Sequence, residues 1–321
     1  MESVELNPED AFSWFEQRKF LNTPPCFLTH WKTNKRFFAN DHALLAFEVR
    51  GKHHIIAGEA IGESGPAKHK IYEGFKQFSK KKQKNICGYY VGNEWNEEGF
   101  LKSSIGTSTS IKLREFDLKT SEAREVRRAL KKGLEQNYTL TALEEIGGKR
   151  KENLQKLFKE WKKRKLPVKL KFLLSSPLSS SVSNSYEKIF IVEKAGEILA
   201  FCSLLPYWKL GKKCFYVDDL IYNPQKDKHA LSFLISSLIR YFQELEIEEL
   251  NLGLNPFANI EEKTFIAKMF KVFYKMPIFY KPKGLHFFKS KFTGTEEPEY
   301  FFFQEKKKLR AVVDMASVTL R

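Results

Sequence analysis

The run Leu44-Leu45-Ala46-Phe47-Glu48-Val49-Arg50-Gly51-Lys52-His53-His54-Ile55-Ile56-Ala57-Gly58 reads as two apolar strands meeting at a glycine turn. A second run, Lys188-Ile189-Phe190-Ile191-Val192-Glu193-Lys194-Ala195-Gly196-Glu197-Ile198-Leu199-Ala200-Phe201-Cys202, has the same form around Gly196. After each hairpin comes a helical stretch and a short apolar strand. Ile71 to Lys82 leads into Ile86-Cys87-Gly88-Tyr89-Tyr90-Val91, and Ala230 to Leu245 leads into Leu250-Asn251-Leu252-Gly253-Leu254. The two turns stand 145 residues apart and the two later strands 164, so the second copy is expected to carry a 19-residue insertion, mostly an extra strand over Lys213 to Tyr222. A repeated unit of about 150 residues predicts a mixed α/β protein of two similar domains packed side by side. The expected division is 1–140 and 141–321.

Composition narrows the partners. Lys and Arg number 55 against 39 Asp and Glu, a formal charge of +16, which favours acidic ligands. With 42% hydrophobic and 14% aromatic residues there is material for a packed core, and disorder or a fibrous repeat is excluded as the main state. No apolar run approaches the roughly 20 residues needed to cross a bilayer. Met1 to Asp10 is acidic rather than a basic leader, so the expected location is the cytoplasm. Cys26, Cys87, Cys202 and Cys214 stand far apart and read as buried thiols, and the seven histidines show no metal-ligand spacing. No metal site is expected.

Two basic helices are predicted between the repeats. In Arg124 to Gln136, Val126, Ala129, Leu130 and Leu134 form one face, with Arg124, Arg127, Arg128, Lys131 and Lys132 on the remainder. In Glu152 to Lys165, Leu154, Leu157, Phe158 and Trp161 form the apolar stripe. Residues 149–171 hold eleven basic side chains against Glu152 and Glu160, which is +9 of the total charge. That face could bind RNA phosphates or an anionic bilayer, or be a solvated face and nothing more. Ser175 to Ser183 reads as a mobile loop.

Several catalytic signatures are absent: no Gly-x-Ser-x-Gly elbow, no His-Glu-x-x-His helix and no phosphate-binding Gly-x-x-x-x-Gly-Lys loop. Near the end, alternation through Leu285, Phe287, Lys289 and Lys291 predicts a strand with both lysines on one face, about 7 Å apart, able to grip phosphate. An edge strand protected by lysines would give the same pattern. Asp218 and Asp219 follow the apolar approach Cys214-Phe215-Tyr216-Val217, so at least one carboxylate is expected to point from a central strand to an interior or a cleft. It would accept a proton or hold an ammonium, or else cap a helix or pair with a lysine.

The repeated unit resembles the GNAT acyltransferase fold, where a glycine-bearing turn offers backbone amides to the coenzyme A pyrophosphate. Here Asn223-Pro224-Gln225-Lys226-Asp227-Lys228-His229-Ala230 contains no glycine, which disfavours an acyl-CoA donor. The ordered segments Gly58-Glu59-Ala60-Ile61-Gly62, Arg127 to Gly133, Phe158 to Trp161, Tyr216-Val217-Asp218-Asp219-Leu220, Leu250 to Pro256, Lys283-Gly284-Leu285, Phe288-Lys289-Ser290-Lys291-Phe292 and Pro298-Glu299-Tyr300 together resemble the catalytic domain of the phosphatidylglycerol lysyltransferases. That resemblance implies two tandem GNAT-like domains and aminoacyl transfer from aminoacyl-tRNA to a lipid hydroxyl, without a cofactor. It also implies roles. Asp219 and Glu59 are the catalytic candidates, while Lys289, Lys291, Arg128, Tyr222 and Asn251 bind substrate. Lys162, Lys163, Arg164 and Lys165 face tRNA or an anionic membrane, with peripheral attachment to its inner face. Tyr222 stands where the family usually has arginine. A catalytically inactive RNA- or membrane-binding relative, and an acyl-CoA-dependent N-acyltransferase, are the alternatives.

Overall fold

The computed structural model describes residues 3–18, 23–25, 27–28, 36–63, 65–93, 95–143, 148–165, 186–262, 264–275, 282–304 and 310–314. The Ser-rich stretch, Cys26 and residues 166–171 of the basic run lie outside them. The strands are β1 (Val4–Leu6), β2 (Arg36–Ala39), β3 (Ala43–Arg50), β4 (His53–Ala57), β5 (Ile61–Gly62), β6 (Asn85–Val91), β7 (Phe100–Lys112), β8 (Thr139–Leu143), β9 (Lys188–Lys194), β10 (Glu197–Lys209), β11 (Lys212–Tyr222), β12 (Glu249–Pro256) and β13 (Thr295–Gln304). The helices are α1 (Pro8–Glu16), α2 (Gly65–Lys81), α3 (Arg124–Glu135), α4 (Gly148–Lys165), α5 (Ala230–Glu244), α6 (Phe265–Lys275) and α7 (Pro282–Ser290).

All the strands join one sheet in the order β1-β2-β3-β4-β6-β13-β7-β12-β11-β10-β9-β8, with β5 beside β3. That order is a palindrome. Each half has an antiparallel meander, then a crossover helix and a parallel strand: β4 and β6 around α2, β11 and β12 around α5. The last strand of each half crosses to the other, so β13 pairs with β6, β7 pairs with β12, and the two pair with each other at the centre. The mixed α/β, GNAT-like architecture expected from the sequence is observed. Residue 140 lies inside β8, which pairs with β9 at the outer edge of the second half. We retain 1–140 and 141–321 as a proposed division, with β7 and β13 exchanged across it.

The repeat is registered differently from the expectation. The turn at Gly196 joins β9 to β10, and its counterpart is the turn between β2 and β3; the counterpart of Gly51 is Gly211, between β10 and β11. The offset is then 160 residues at the turns and 163 from Cys87 to Leu250. No extra strand is inserted. β11 matches β4, and the strand missed in the first half is the short β2.

Helix faces explain the packing. α5 buries Ala230, Leu231, Leu234, Ile235, Leu238, Ile239 and Phe242 on the second half of the sheet. α4 lays Leu154, Leu157 and Phe158 against Ile189, Ile191, Phe201 and Ile221, with Trp161 beside them, as its stripe predicts. In α3 the inward residues are Val126 and Gly133, while Leu134 is 70% exposed, not part of the buried face. A Cβ on Gly133 would lie 1.9 Å from the Phe233 ring, so only glycine lets α3 press against α5. The central seam is polar: Ser108 Oγ donates to Glu299 Oε1 (2.8 Å) and Asn255 Nδ2 to Thr109 Oγ1 (2.7 Å).

Candidate active site

The second half of the sheet is opened at a defined point. β11 and β12 form a parallel ladder at Phe215–Leu250 and Tyr216–Asn251, and no further. Two irregularities part them. Opposite β10, Ser203 pairs with Asp219 and Leu204 with Val217, which leaves Asp218 as the extra residue of a β-bulge that bends the strand. Opposite β7, Asn251 pairs with Ser110 and Leu254 with Ser108, so Leu252 and Gly253 are bulged out, with Gly253 at φ +80°. Asn251 stabilises that bulge: its Oδ1 accepts the Gly253 N–H (2.7 Å) and its Nδ2 donates to Ser110 Oγ (2.9 Å). The opening lies at the carboxyl ends of two parallel strands, the usual place for a ligand in such sheets.

A buried acid stands on one strand and a buried cation bonds to the other. Asp219 is buried, and Ser203 Oγ donates to its Oδ2 at 3.2 Å. The carboxylates of Glu187, Asp218 and Asp219 lie within 4.8 Å of one another. Lys289 reaches in from α7 and donates to the Leu254 carbonyl of β12 at 2.9 Å. Burial pulls the Lys289 ammonium down to about 7, against the pull of Glu296. A buried lysine that titrates near neutrality and a buried carboxylate can together move a proton and bear transient charge.

On the α5 side, a groove of about 670 Å³ opens between α3 and the start of α5. Arg128, Lys131, Lys132, Lys228 and Lys291 line it against Glu125 and Glu135, with His229 and Ser232 from the first turn of α5. Positive charge in such a concavity gathers an anion. The Asp227 carboxylate occupies the helix start itself, accepting the N–H groups of His229 (2.6 Å) and Ala230 (3.2 Å).

Residues predicted from the sequence are distributed unevenly over this site. Asp219 and Asn251 flank the opening, and Arg128 and Lys291 meet in the groove. Lys289 and Lys291 do not share a strand face, because Pro282–Ser290 is helical. Proline suits a first helical position, and Leu285, Phe288, Lys289 and Phe292 keep helical spacing, which the alternation reading overlooked. Lys291 lies just past the helix, its Nζ 4.9 Å from the Phe287 ring centre. Tyr222 is half-buried at the edge of the core under α5, where burial raises its hydroxyl pKa. Glu59 belongs to the first half: its Oε1 accepts the Gly92 N–H at 2.9 Å. Four strands separate β4 from β11, about 24 Å at the usual strand spacing, so the sheet does not bring Glu59 to Asp219. Lys162, Lys163, Arg164 and Lys165 lie at the end of α4; Lys163 is exposed, and the other three side chains lie outside the described residues. Sequence reasoning passed over Lys228, two residues before α5, and Gly253, whose positive φ left only a lone glycine as its signal.

The family model described as phosphatidylglycerol lysyltransferase, C-terminal, matches residues 22–303. The chain belongs to this family. A phosphatidylglycerol lysyltransferase of Staphylococcus aureus (strain MRSA252) is 21% identical over 297 residues, covering 88% of this chain and 34% of that protein. This lysyltransferase-family chain thus spans about a third of the length of the curated relatives it matches. Two solved structures share its fold. The C-terminal domain of a putative lysylphosphatidylglycerol synthetase from Agrobacterium fabrum has a TM-score of 0.78 at 18% identity, with 98% of each chain covered. L-PGS from Bacillus licheniformis has a TM-score of 0.79 at 19% identity, covering 99% of this chain and 98% of that one. Among the described residues no helix is long and apolar enough to cross a membrane.

Proposed function

We propose that the chain transfers an aminoacyl group from aminoacyl-tRNA to a hydroxyl of an anionic phospholipid of the phosphatidylglycerol type. The observation that carries this reading is the parting of β11 from β12, with the buried Asp219 on β11 and the buried Lys289 bonded to the Leu254 carbonyl of β12. The acceptor hydroxyl attacks the ester carbonyl and gives its proton to Asp219, which Ser203 orients. Lys289 offers positive charge to the carbonyl oxygen, and the released ribose hydroxyl takes the proton back. One ester is exchanged for another, so no electrons move and no redox cofactor is required. Such a reaction gains most from positioning. The groove cations Arg128, Lys131, Lys132 and Lys228 would hold the donor's phosphates, and the Glu187, Asp218 and Asp219 carboxylates would attract the ammonium of the aminoacyl group. Tyr222 and Asn251 act by shape and positioning, and the exposed Lys163 would extend the basic surface. The protein would work at the inner face of the membrane.

An acyl-CoA donor fits less well, because Asp227 already takes the helix-start amides that a pyrophosphate would need. A non-catalytic RNA- or membrane-binding role draws on Tyr222, which puts a half-buried phenol where the family has a cation. Incubating the purified protein with radiolabelled aminoacyl-tRNAs and phosphatidylglycerol vesicles separates the three. Label in the organic phase is expected. Binding without transfer would support the inactive reading, and acyl-CoA consumption without RNA the third.

A further inference from the structure

The chain has 29 phenylalanines, and among the described residues the only exposed ones are Phe265 on α6 and Phe287 on α7, at 67% and 66%. On α6, Phe265, Lys268, Val272 and Lys275 are spaced as one stripe and all are exposed, with Val272 at 50%. The opposite face, Ile266, Ala267 and Phe270, is buried in the core. On α7, the exposed Lys283 and Phe287 are one turn apart. The two helices are joined by the Tyr274 hydroxyl and His286 Nδ1, 3.0 Å apart. Together they carry five lysines and no acidic residue.

We propose that the outward faces of α6 and α7 dock on the surface of an anionic phospholipid bilayer. Aromatic and aliphatic side chains set among lysines, on helices that bury their other face, suit the boundary between headgroups and acyl chains. The charge pattern argues against a second copy of this chain as the occupant. In a two-fold dimer the same patch meets itself, and lysines would face lysines without an acid between them. Val272 argues against RNA, since an aliphatic side chain offers no face for a base to stack on. The position is apt: α7 turns Phe287 outward while its buried Lys289 bonds to the Leu254 carbonyl of β12, so the docked helix is one that reaches the proposed site. The proposal rests on the lipid-acceptor reading only for its choice of phosphatidylglycerol as the probe.

The test is vesicle flotation of the full chain with phosphatidylglycerol–phosphatidylcholine and pure phosphatidylcholine vesicles, for the wild type and F265S/V272S. The wild type is expected to float with the anionic vesicles alone, and the variant, with an unchanged melting temperature, to lose at least fivefold in bound fraction. Transfer to vesicle-borne lipid should fall with it, while transfer to a short-chain, water-soluble phosphatidylglycerol stays at the wild-type rate. A variant that floats like the wild type would overturn the docking surface. So would one that instead loses RNA retention or dissociates from a dimer. Flotation lost without transfer by either protein would uphold the surface and reject the transfer reading.

Discussion

In the first half of the sheet β4 and β6 stay paired over five residues, and Glu59, just past the ladder, closes its end by accepting the Gly92 N–H. In the second half β11 and β12 part after two pairs, and Asp219 stands beside the gap. The 160-residue offset that carries Gly51 to Gly211 carries Glu59 to Asp219. The 163-residue offset likewise carries Tyr90 to Gly253, and both have positive φ, +66° and +80°. Both halves therefore keep the kink after the crossover strand and an acid at the same level. They differ in the strand beside the acid: β11 carries one extra residue, Asp218, against β10, while between Phe47–Ile56 and Leu44–Ile61 the first half carries two against β3.

The largest test of that contrast exchanges each acid for its amide. Asp219→Asn is expected to lower the initial rate of aminoacyl transfer at least about 100-fold, the usual scale for removing a general base. Glu59→Gln keeps an oxygen for Gly92 and should cost less than about threefold. Equal losses would make the two halves equivalent. Next in size, Lys131→Gln with Lys228→Gln should weaken aminoacyl-tRNA binding about tenfold near physiological salt and lower the salt slope by about 2, as expected for two phosphate contacts. The matching exchange at Lys80 and Lys81, on the first-half helix α2, should leave both unchanged.

Two buried groups give the halves opposite pH signatures. The Lys289 pKa falls from 10.5 to about 7 in the folded protein, so between those values the unfolded chain binds a proton that the folded one does not, and stability rises with pH. Burial raises the Glu299 carboxyl on β13 from 4.5 to about 8, so there the folded protein holds the extra proton and stability falls as pH rises. Denaturant melts across pH should show Lys289→Met flattening the first slope and Glu299→Gln the second. The smallest effect is at the kink: Gly253→Ala should cost about 1–2 kcal/mol in unfolding free energy, from positive φ and a Cβ 3.2 Å from the Tyr216 hydroxyl.

The duplicated hairpins, the crossover helices and the α4 stripe were readable because each is local: alternation, 3.6-residue spacing and a glycine turn all sit within one window of sequence. The registration of the repeat was not, because Gly51, Gly196 and Gly211 all mark turns, and the four-residue β2 is too short to show alternation. The exchange of β7 and β13 depends on pairing between strands almost 200 residues apart, which no local pattern encodes. Of the site, Asp219 was legible as a carboxylate after an apolar strand. The groove was not, since its cations come from α3, the turn before α5 and the residue after α7. Lys289 was misplaced because a short run of aromatics and lysines satisfies both strand and helix periods.

The central claim, that substrate enters between β11 and β12 and not between β4 and β6, is tested most directly by amide hydrogen exchange with and without a non-hydrolysable aminoacyl-tRNA analogue. Protection of residues 217–220 and 252–255, with residues 57–60 and 89–92 unchanged, is the expected result. Protection confined to the first half, or absent from both while the analogue is bound, would contradict it.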